Sequence, residues 1–494
     1  MTPCRGCWMA KKMATDKTRK TTGRARRPLA VVVLAAGEGK RMRSDLPKVL
    51  HEVAGRAMID HVLASARALK PERLVVVVGN GAEAVRARVG DGDGGDLRCV
   101  LQAEQLGTGH AVLQARSALR GFDGDVLVLC GDVPLLTTST LRSLLKQHGR
   151  NAALATVLGM AVDDPSGYGR IIREMDGRLS VVEHRDATPA QREVFEVNSG
   201  TWCFDARFML KALAGLGRDN AQGEYYLTDL LAMASARDSA AAWVMDDDSE
   251  GLGVNSRHDL AQAEMLMQER LIAGWMDKGV SFLDPATVTL SCDARLGRDT
   301  VVGPGARIWG NTRIGRNCVL DGNCFLNDSQ VGDRVHLRWG VVATEASVGK
   351  GSLLGPYAHL RPEARLDEEV HVGNFVEIKK SRLGRGTKAN HLSYIGDAQL
   401  GRDVNVGAGT ITCNYDGYQK YPTIIGDRVQ IGSDTQLVAP VRLGNDSYVA
   451  AGSTVSSDVE DGALVFNDKP QRVRKGWVAS FRRRMKRLKK GSAS

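Results

Sequence analysis

The strongest constraint on this chain lies between residues 288 and 460, where an aliphatic side chain returns every six positions. One run reads Leu290, Leu296, Val302, Ile308, Ile314, Leu320, Leu326. A second reads Val348, Leu354, Leu360, Leu366, Val372, Ile378, and a third Ile425, Ile431, Leu437, Leu443, Val449, Val455. Glycine often follows the aliphatic, as in Leu296-Gly297, Ile314-Gly315 and Ile431-Gly432. An α-helix repeats every 3.6 residues and an alternating strand every two, so neither makes this pattern. A hexad repeat is the signature of a parallel β-helix. Each hexad forms one flat side of a triangular prism with its aliphatic inward, and small residues let the chain turn. The stretch then makes about nine or ten coils at ~4.8 Å each, a rod of roughly 45 Å. Ordinary antiparallel strands with glycine turns would not hold one phase through three such runs. The phase slips near 379–395 and 412–424, and a slip can mark a loop ejected from the stack.

Composition limits the function classes. A chain of 494 residues has room for roughly two to four domains. No apolar run approaches membrane length and no hydrophobic signal core opens the chain, so membrane insertion is not expected. The net charge of +10 is carried by the tails: residues 1–28 hold nine Lys/Arg against one Asp, and residues 472–494 hold ten Lys/Arg and no acid. The body between them is mildly acidic, which speaks against a specific nucleic-acid-binding domain. The tails read as solvated, with non-specific contact to nucleic acid or anionic membrane as the alternative. Nine scattered cysteines fit reduced thiols in a cytoplasmic protein, and Cys4-x-x-Cys7 has no second pair to complete a zinc site. Residues 1–28 read as a disordered basic extension; a true start near Met9 or Met13, or an acid-poor transit segment, are the alternatives.

Ahead of the hexads the pattern changes. Leu29 to Leu34, Leu74 to Val78 and Val126 to Cys130 are continuous apolar runs, as in strands buried on both faces. Ile59, Val62, Leu63 and Ala66 recur at helical spacing. Alternating buried strands and helices make a Rossmann-like α/β unit with a mostly parallel sheet, which binds ligands at the carboxyl ends of its strands. Two polar loops fall there: Ala35-Ala36-Gly37-Glu38-Gly39-Lys40-Arg41-Met42 and Gly131-Asp132. The first lacks the third glycine of the dinucleotide fingerprint and the Lys-Ser/Thr of a P-loop. Its small residues still let backbone N–H groups approach phosphate oxygens, and Arg41 and Lys48 add two cations. Leu260, Ala263, Met267 and Leu271 mark a helix joining the halves. The expected divisions are an extension 1–28, an α/β domain 29–257, a helical linker 258–280, a β-helix 281–471 and a basic tail 472–494.

These motifs carry a resemblance. Leu34-Ala35-Ala36-Gly37-x-Gly39-x-Arg41-Met42, with Leu46-Pro47-Lys48, is similar to the sugar-nucleotide pyrophosphorylases. Gln102-Ala103-Glu104-Gln105-Leu106-Gly107-Thr108-Gly109-His110 narrows it, as do Gly131-Asp132-Val133-Pro134-Leu135 and Gln222-Gly223-Glu224-Tyr225-Tyr226-Leu227-Thr228-Asp229. With the hexads behind them, residues from about 29 to 477 resemble the GlmU family, in which an N-acetylglucosamine-1-phosphate uridyltransferase is fused to a glucosamine-1-phosphate N-acetyltransferase. The resemblance implies a nucleotidyltransferase domain followed by a left-handed parallel β-helix of hexapeptide repeats. It implies that acetyl-CoA acetylates glucosamine-1-phosphate, and that UTP then converts N-acetylglucosamine-1-phosphate to UDP-N-acetylglucosamine with release of pyrophosphate. Leu34, Ala35, Ala36 and Gly37, with Gln102, Gly107 and Thr108, would hold the uracil and ribose. Asp132 and Asn255 would hold Mg2+, a hard ion that takes oxygen ligands. Arg41 and Lys48 would neutralise the charge that builds as pyrophosphate leaves. Gly169, Glu183 and Asn198 would bind the N-acetylglucosamine. Cys130 and Gly131 line the same site; the family usually has Tyr at the position of Cys130, so an aromatic contact is lost while the metal carboxylate stays.

In the β-helix half, Arg361, Lys379, His391, Tyr394, Asn405, Asn414 and Tyr415 cluster around the slips. N-acetyl transfer needs an amine stripped of a proton, a polarised thioester carbonyl and an anchored sugar phosphate. His391 is the candidate general base, and Arg361 and Lys379 would clamp the phosphate. By the resemblance, Tyr394 and Asn405 would bind the sugar. Ala408, Ser433 and Ala451 would line the acetyl-CoA site, with Asn414 and Tyr415 beside the acetyl group. Hexad acyltransferases pack three rods with sites between them, which implies a homotrimer. Asp468 stands where the family usually has an Arg that meets the CoA phosphates; Lys469 or the basic tail would have to substitute. Two narrower readings remain: a pyrophosphorylase whose β-helix only trimerises or senses a regulator, and a non-catalytic scaffold tethered through its tails.

Overall fold

The structure, a computed structural model, describes residues 27–90, 96–468 and 470–491. The extension 1–26, with Cys4, Cys7, Met9 and Met13, and Lys469 lie outside the described residues. The chain divides into two compact units, one running to Arg270 and the other starting at Leu271. The division falls inside the helix Arg257–Met276.

The first unit is built on a nine-stranded sheet. Its main path runs Ala240–Val244, Ala155–Ala161, Glu196–Asp205, Asp125–Cys130, Leu29–Ala35, Arg73–Val78, Arg98–Leu101. The hairpin Arg170–Arg173/Leu179–Val182 is attached at Glu196–Asp205. Leu29–Ala35 pairs parallel with both neighbours, Val32 lying opposite Val75 and Val128. Glu196–Asp205 runs antiparallel to both of its own, so the sheet is mixed. Along the central strand Ala30 and Val32 feed one hydrophobic cluster while Val31 and Val33 feed the other. Burial on both faces is the reason this run shows no alternation. The helix Met58–Arg67 turns Ile59, Val62, Leu63 and Ala66 into the core. The carboxyl ends of Leu29–Ala35 and Asp125–Cys130 finish side by side, joined by a 2.8 Å bond from Gly131 N–H to the Leu34 carbonyl.

In the second unit, from Ser281, short strands pair parallel, each with the third strand before and after it except at the C-terminal end, where Tyr448–Val449 pairs with Leu464–Val465, the second strand after it. They build three sheets of eleven, ten and nine strands. This is the left-handed, three-sided β-helix that the six-residue period implies. One inward column reads Leu290, Ile308, Leu326, Ala343, Leu360, Ile378, Ile395, all 0–1 % exposed. At ~1.5–3 kcal/mol for each fully buried large aliphatic, such columns hold the rod together. Coil-to-coil ion pairs (Asp367–Arg382, Glu369–Arg385, Asp427–Arg402, Asp446–Arg428) decorate the outside, where solvent keeps each contribution small.

The two phase slips have different causes. Leu354 pairs with Val372, a full 18-residue coil, whereas Ile378 pairs with Ile395 after only 17. The slip at 379–395 is thus a shortened coil, not a loop. Leu400, by contrast, pairs with Ile425 after 25 residues. The surplus leaves the prism as a loop pinned by a bridge between Tyr415 and Lys420. The C-terminal tail, read as solvated, is exposed at its described side chains and forms the α-helix Trp477–Gly491. From 477 to 490 it has no Pro or Gly and is rich in Arg and Lys, both good helix formers.

Candidate functional site

In the first unit the glycine loop leaves the strand Leu29–Ala35 and turns through Gly39 (φ 63°) into a single helical turn, Lys40–Met42. A Cβ on Gly39 would lie 2.7 Å from Lys48 Cβ, so both the left-handed backbone and the close approach require glycine. A Cβ on Gly37 would meet nothing within 4 Å; this backbone is open to a ligand. Lys48 points inward, its side chain 12 % exposed. Its Nζ donates to Asp132 Oδ2 at 2.5 Å and to Asn255 Oδ1 at 3.1 Å. The backbone brings the two acceptors together, since Val254 N–H donates to the Asp132 carbonyl at 2.9 Å. Asn255 Nδ2 donates to the Gly253 carbonyl at 3.3 Å, which leaves Oδ1 for the cation. One carboxylate and one amide oxygen therefore converge on a positive charge, a donor set that suits a hard divalent ion. Arg41 stands exposed on the neighbouring turn, with no side-chain partner among the described residues.

The wall beside this loop comes from two distant motifs. Gln105 Nε2 donates to the Ala36 carbonyl at 2.7 Å. Tyr225 N–H donates to the Leu106 carbonyl and Gly109 N–H to the Tyr225 carbonyl, both at 2.8 Å. Leu227 N–H donates to Thr108 Oγ1 at 3.2 Å. A Cβ on Gly107 would lie 2.7 Å from the Tyr225 carbonyl oxygen. Gln102 is buried, with its amide donating to the Gly107 carbonyl at 3.3 Å and lying 3.1 Å from His110 Nδ1. Further along, Asn198 N–H donates to the Gly169 carbonyl at 2.8 Å. The Glu183 carboxylate lies 3.3 Å from where a Gly169 Cβ would be. Burial, reinforced by Asp186, pushes the Glu183 carboxyl above its usual range. Burial and the nearby Asp132 charge push the Cys130 thiol up to about 12, and its Sγ lies 3.4 Å from the Gly200 carbonyl. Cys130 is a neutral packing group, not a nucleophile.

In the second unit His391 ends the strand Lys388–His391 and lies exposed at a corner of the prism. Its Nδ1 is 3.1 Å from Oδ1 of Asn374, its partner on the preceding coil. An amide oxygen only accepts, so Nδ1 carries the hydrogen and Nε2 is left to take a proton. The register Lys388↔Asn405 and Ala389↔Val406 sets Ala408 beside His391. Asp434 N–H donates to the Ala408 carbonyl at 2.7 Å and Gly452 N–H to the Ser433 carbonyl at 2.8 Å. Ala408, Ser433 and Ala451 thus continue the His391 corner coil by coil.

The adjacent face carries the charged groups. Arg361 N–H donates to the Ile378 carbonyl at 2.8 Å, which stacks Arg361 next to Lys379. Arg361 Nη1 donates to Glu377 Oε1 at 2.7 Å, and Glu377 pairs with Tyr394. Gly396 leaves room for the Tyr394 hydroxyl and the Asn414 amide, and Asn414 Nδ2 donates to Asp397 Oδ2 at 2.5 Å. Tyr415 is exposed on the loop, its hydroxyl donating to the Gly417 carbonyl at 2.6 Å. Tyr394 and Asn405, expected to share the sugar, lie in different sheets of the prism. Asp468 is exposed.

Two residues escape the sequence reading. Asn374 becomes the partner of His391 only because the intervening coil is one residue short. Lys420, from the ejected loop, sits against Lys379. Direct contact with Lys420, then burial and the like charge of that second ammonium, hold Lys379 below the usual lysine range. The slip at 412–424 was the available signal.

Comparison with known proteins agrees with both units. The MobA-like NTP transferase domain matches residues 31–189, and the bacterial transferase hexapeptide (six repeats) matches residues 422–457. The bifunctional protein GlmU of Pelobacter propionicus is 48 % identical over 451 residues, 91 % of this chain and 98 % of that protein. The protein of the same name from Koribacter versatilis is 44 % identical over 469 residues, covering 94 % and 99 %. That from Geobacillus thermodenitrificans is 45 % identical over 457 residues, covering 92 % and 98 %. Similarity of this extent cannot be confined to one unit: the chain belongs to the bifunctional GlmU family.

Proposed function

We propose that the β-helix acetylates glucosamine-1-phosphate from acetyl-CoA and that the α/β unit joins the product to UTP, making UDP-N-acetylglucosamine. Membership of the family carries the two transferase activities; the residue roles are those the resemblance implies, and the geometry above supports them. In the β-helix, Nε2 of His391 takes the proton from the sugar amine as its nitrogen attacks the thioester carbonyl. The C–S bond then breaks and the departing sulfur of CoA takes up a proton. Asn374 fixes the imidazole through Nδ1–H. Arg361, Lys379 and Lys420 bind the sugar phosphate, and Tyr394 and Asn405 its ring. Ala408, Ser433 and Ala451, with Asn414 and Tyr415, receive acetyl-CoA. The observation that carries this reading is the oriented, exposed imidazole of His391, which a mere stem would not need.

In the α/β unit the backbone of Leu34, Ala35, Ala36 and Gly37, with Gln102, Gly107 and Thr108, grips the uridine. Gly169, Glu183 and Asn198 hold the sugar, and Cys130 and Gly131 lie beneath the phosphates. An oxygen of the sugar phosphate attacks the α-phosphorus of UTP, and the bond to the pyrophosphate oxygen breaks. Lys48 and Arg41 offset the charge that gathers on the leaving group. Asp132 and Asn255 would hold Mg2+, which when bound supplies charge neutralisation and orientation of the phosphates. The Lys48 ammonium spanning those two oxygens supports that assignment.

A homotrimer is part of the proposal. Lys379 and Tyr394 belong to one sheet of the prism, and Arg361 follows directly on a strand of it, whereas His391 and Asn405 belong to the next. Side-by-side rods would set one copy's corner against another copy's face. A ridge of Tyr357, Phe375 and Leu392, each more than half exposed, runs along the His391 corner. The first two rings stack at 5.7 Å. Such a ridge suits burial against a second copy. No disulfide joins the described cysteines, which supports a cytoplasmic location. No described helix is long and apolar enough to cross a membrane.

The test is a pair of assays on the purified full chain: thiol release from acetyl-CoA with glucosamine-1-phosphate, and pyrophosphate release from UTP with N-acetylglucosamine-1-phosphate. Asp132→Ala abolishes the second and spares the first; His391→Ala does the reverse. Absence of thiol release from the unaltered protein would favour a monofunctional pyrophosphorylase.

A further inference from the structure

The two faces of the helix Trp477–Gly491 are sharply different. At 3.6 residues per turn, Trp477, Val478, Phe481, Met485 and Leu488 fall within about 100° of its circumference. These five side chains are 44–58 % exposed, and the Trp477 and Phe481 rings stack at 5.0 Å into one apolar surface. Arg482, Arg483, Lys486 and Arg487 occupy the remaining arc, with Arg484 at its margin. No acidic residue follows Asp468 in the sequence. Nucleic acid would use the cations and a stacked ring, but it has no use for Val478, Met485 and Leu488 in the same stripe. An anionic lipid surface uses both faces: the boundary of the acyl chains takes the stripe and the headgroups take the guanidinium and ammonium groups. Fifteen residues extend about 22 Å, and that length with so many charges suits a helix lying in the plane of a bilayer, not one crossing it.

We propose that Trp477–Gly491 is an interfacial anchor that binds membranes rich in anionic phospholipid and holds the enzyme at their surface. The full-length protein, sedimented with vesicles of phosphatidylcholine containing phosphatidylglycerol, pellets with them and stays in solution with pure phosphatidylcholine. Added salt weakens the binding, and each charge reversed in Arg482→Glu, Arg483→Glu or Lys486→Glu lowers partitioning by at least about fivefold. The triple variant Val478→Ser/Phe481→Ser/Met485→Ser lowers it at least tenfold. Brominated acyl chains quench part of the tryptophan emission of the unaltered protein, and that part is lost in Trp477→Phe although this variant still pellets. An unchanged far-UV circular dichroism spectrum and an unchanged unfolding midpoint of the β-helix report that each variant is folded. Equal pelleting with neutral and anionic vesicles overturns the proposal. So does an undiminished serine variant whose binding single-stranded RNA abolishes, the signature of charge alone. A change in oligomeric mass of the lipid-free serine variant also overturns it, because the stripe would then be covered by a second copy.

Discussion

Asn374 decides what His391 can do. By accepting the Nδ1 hydrogen at 3.1 Å it holds the imidazole with Nε2 free, the tautomer a general base needs. Asn374→Ala is expected to lower kcat for acetyl transfer by roughly 10–100-fold, a fraction of what a general base contributes, and to leave uridylyl transfer unchanged; paired assays of the two half-reactions check this. A second residue-scale prediction concerns His148. It is buried, with Nδ1 2.8 Å from Thr156 Oγ1. Burial, with the charge of Arg27 adding to it, pushes its pKa down to about 4 from 6.5. The unfolded chain therefore takes up a proton that the folded one refuses. The stability is whole above pH 6.5 and falls as the pH drops towards 4, by up to about 3 kcal/mol. His148→Gln should flatten that decline in urea unfolding followed from neutral to mildly acid pH. At this scale Lys48 and His391 could be read from their motifs, because short loops with glycine and cations announce themselves. Asn374 and Lys420 could not, because their partners come from other coils.

The inward columns and the one ejected loop dominate the behaviour of the elements. Ile378 is fully buried between Leu360 and Ile395. Ile378→Ala should cost about 2–5 kcal/mol, seen as a lower unfolding midpoint for the β-helix while uridylyl transfer persists. Gly396 is the position where the loop meets the stack. A Cβ there would run into the Tyr394 hydroxyl and lie 2.8 Å from Asn414 Nδ2. Gly396→Ala should therefore lose at least about tenfold in acetyl transfer, on the order of one misplaced polar contact, with far-UV circular dichroism unchanged. The six-residue period made the columns legible, since each hexad repeats the same local demand for one inward aliphatic. The difference between a shortened coil at 379–395 and a true loop at 412–424 was not legible. Both break the phase alike, and only the pairing of Ile378 with Ile395 and of Leu400 with Ile425 separates them.

For the whole molecule, the proposed trimer makes the sharpest demand. Tyr357, Phe375 and Leu392 have φ of 55°, 58° and 44°, a region that side chains of this kind rarely occupy, and they hold an apolar ridge out from the His391 corner. Phe375→Asp should shift the sedimentation mass from three chains towards one. It should reduce acetyl transfer far more than uridylyl transfer, because only the first is proposed to draw on two copies. The order of architectures, a buried α/β sheet followed by a hexad prism, was determined by the sequence alone. Strand burial and six-residue repetition are written in consecutive residues and need no distant partner to be recognised. Tertiary structure alone decided which groups face each other. Val254 bonds to Asp132 and so delivers Asn255 to the lysine beside the glycine loop. One missing residue in a coil sets Asn374 against His391. The C-terminal helix leaves its apolar stripe exposed. Each of these depends on how many residues separate two turns and on which polar group remains for a partner. Those are properties of the folded register, and no window of neighbouring residues contains them.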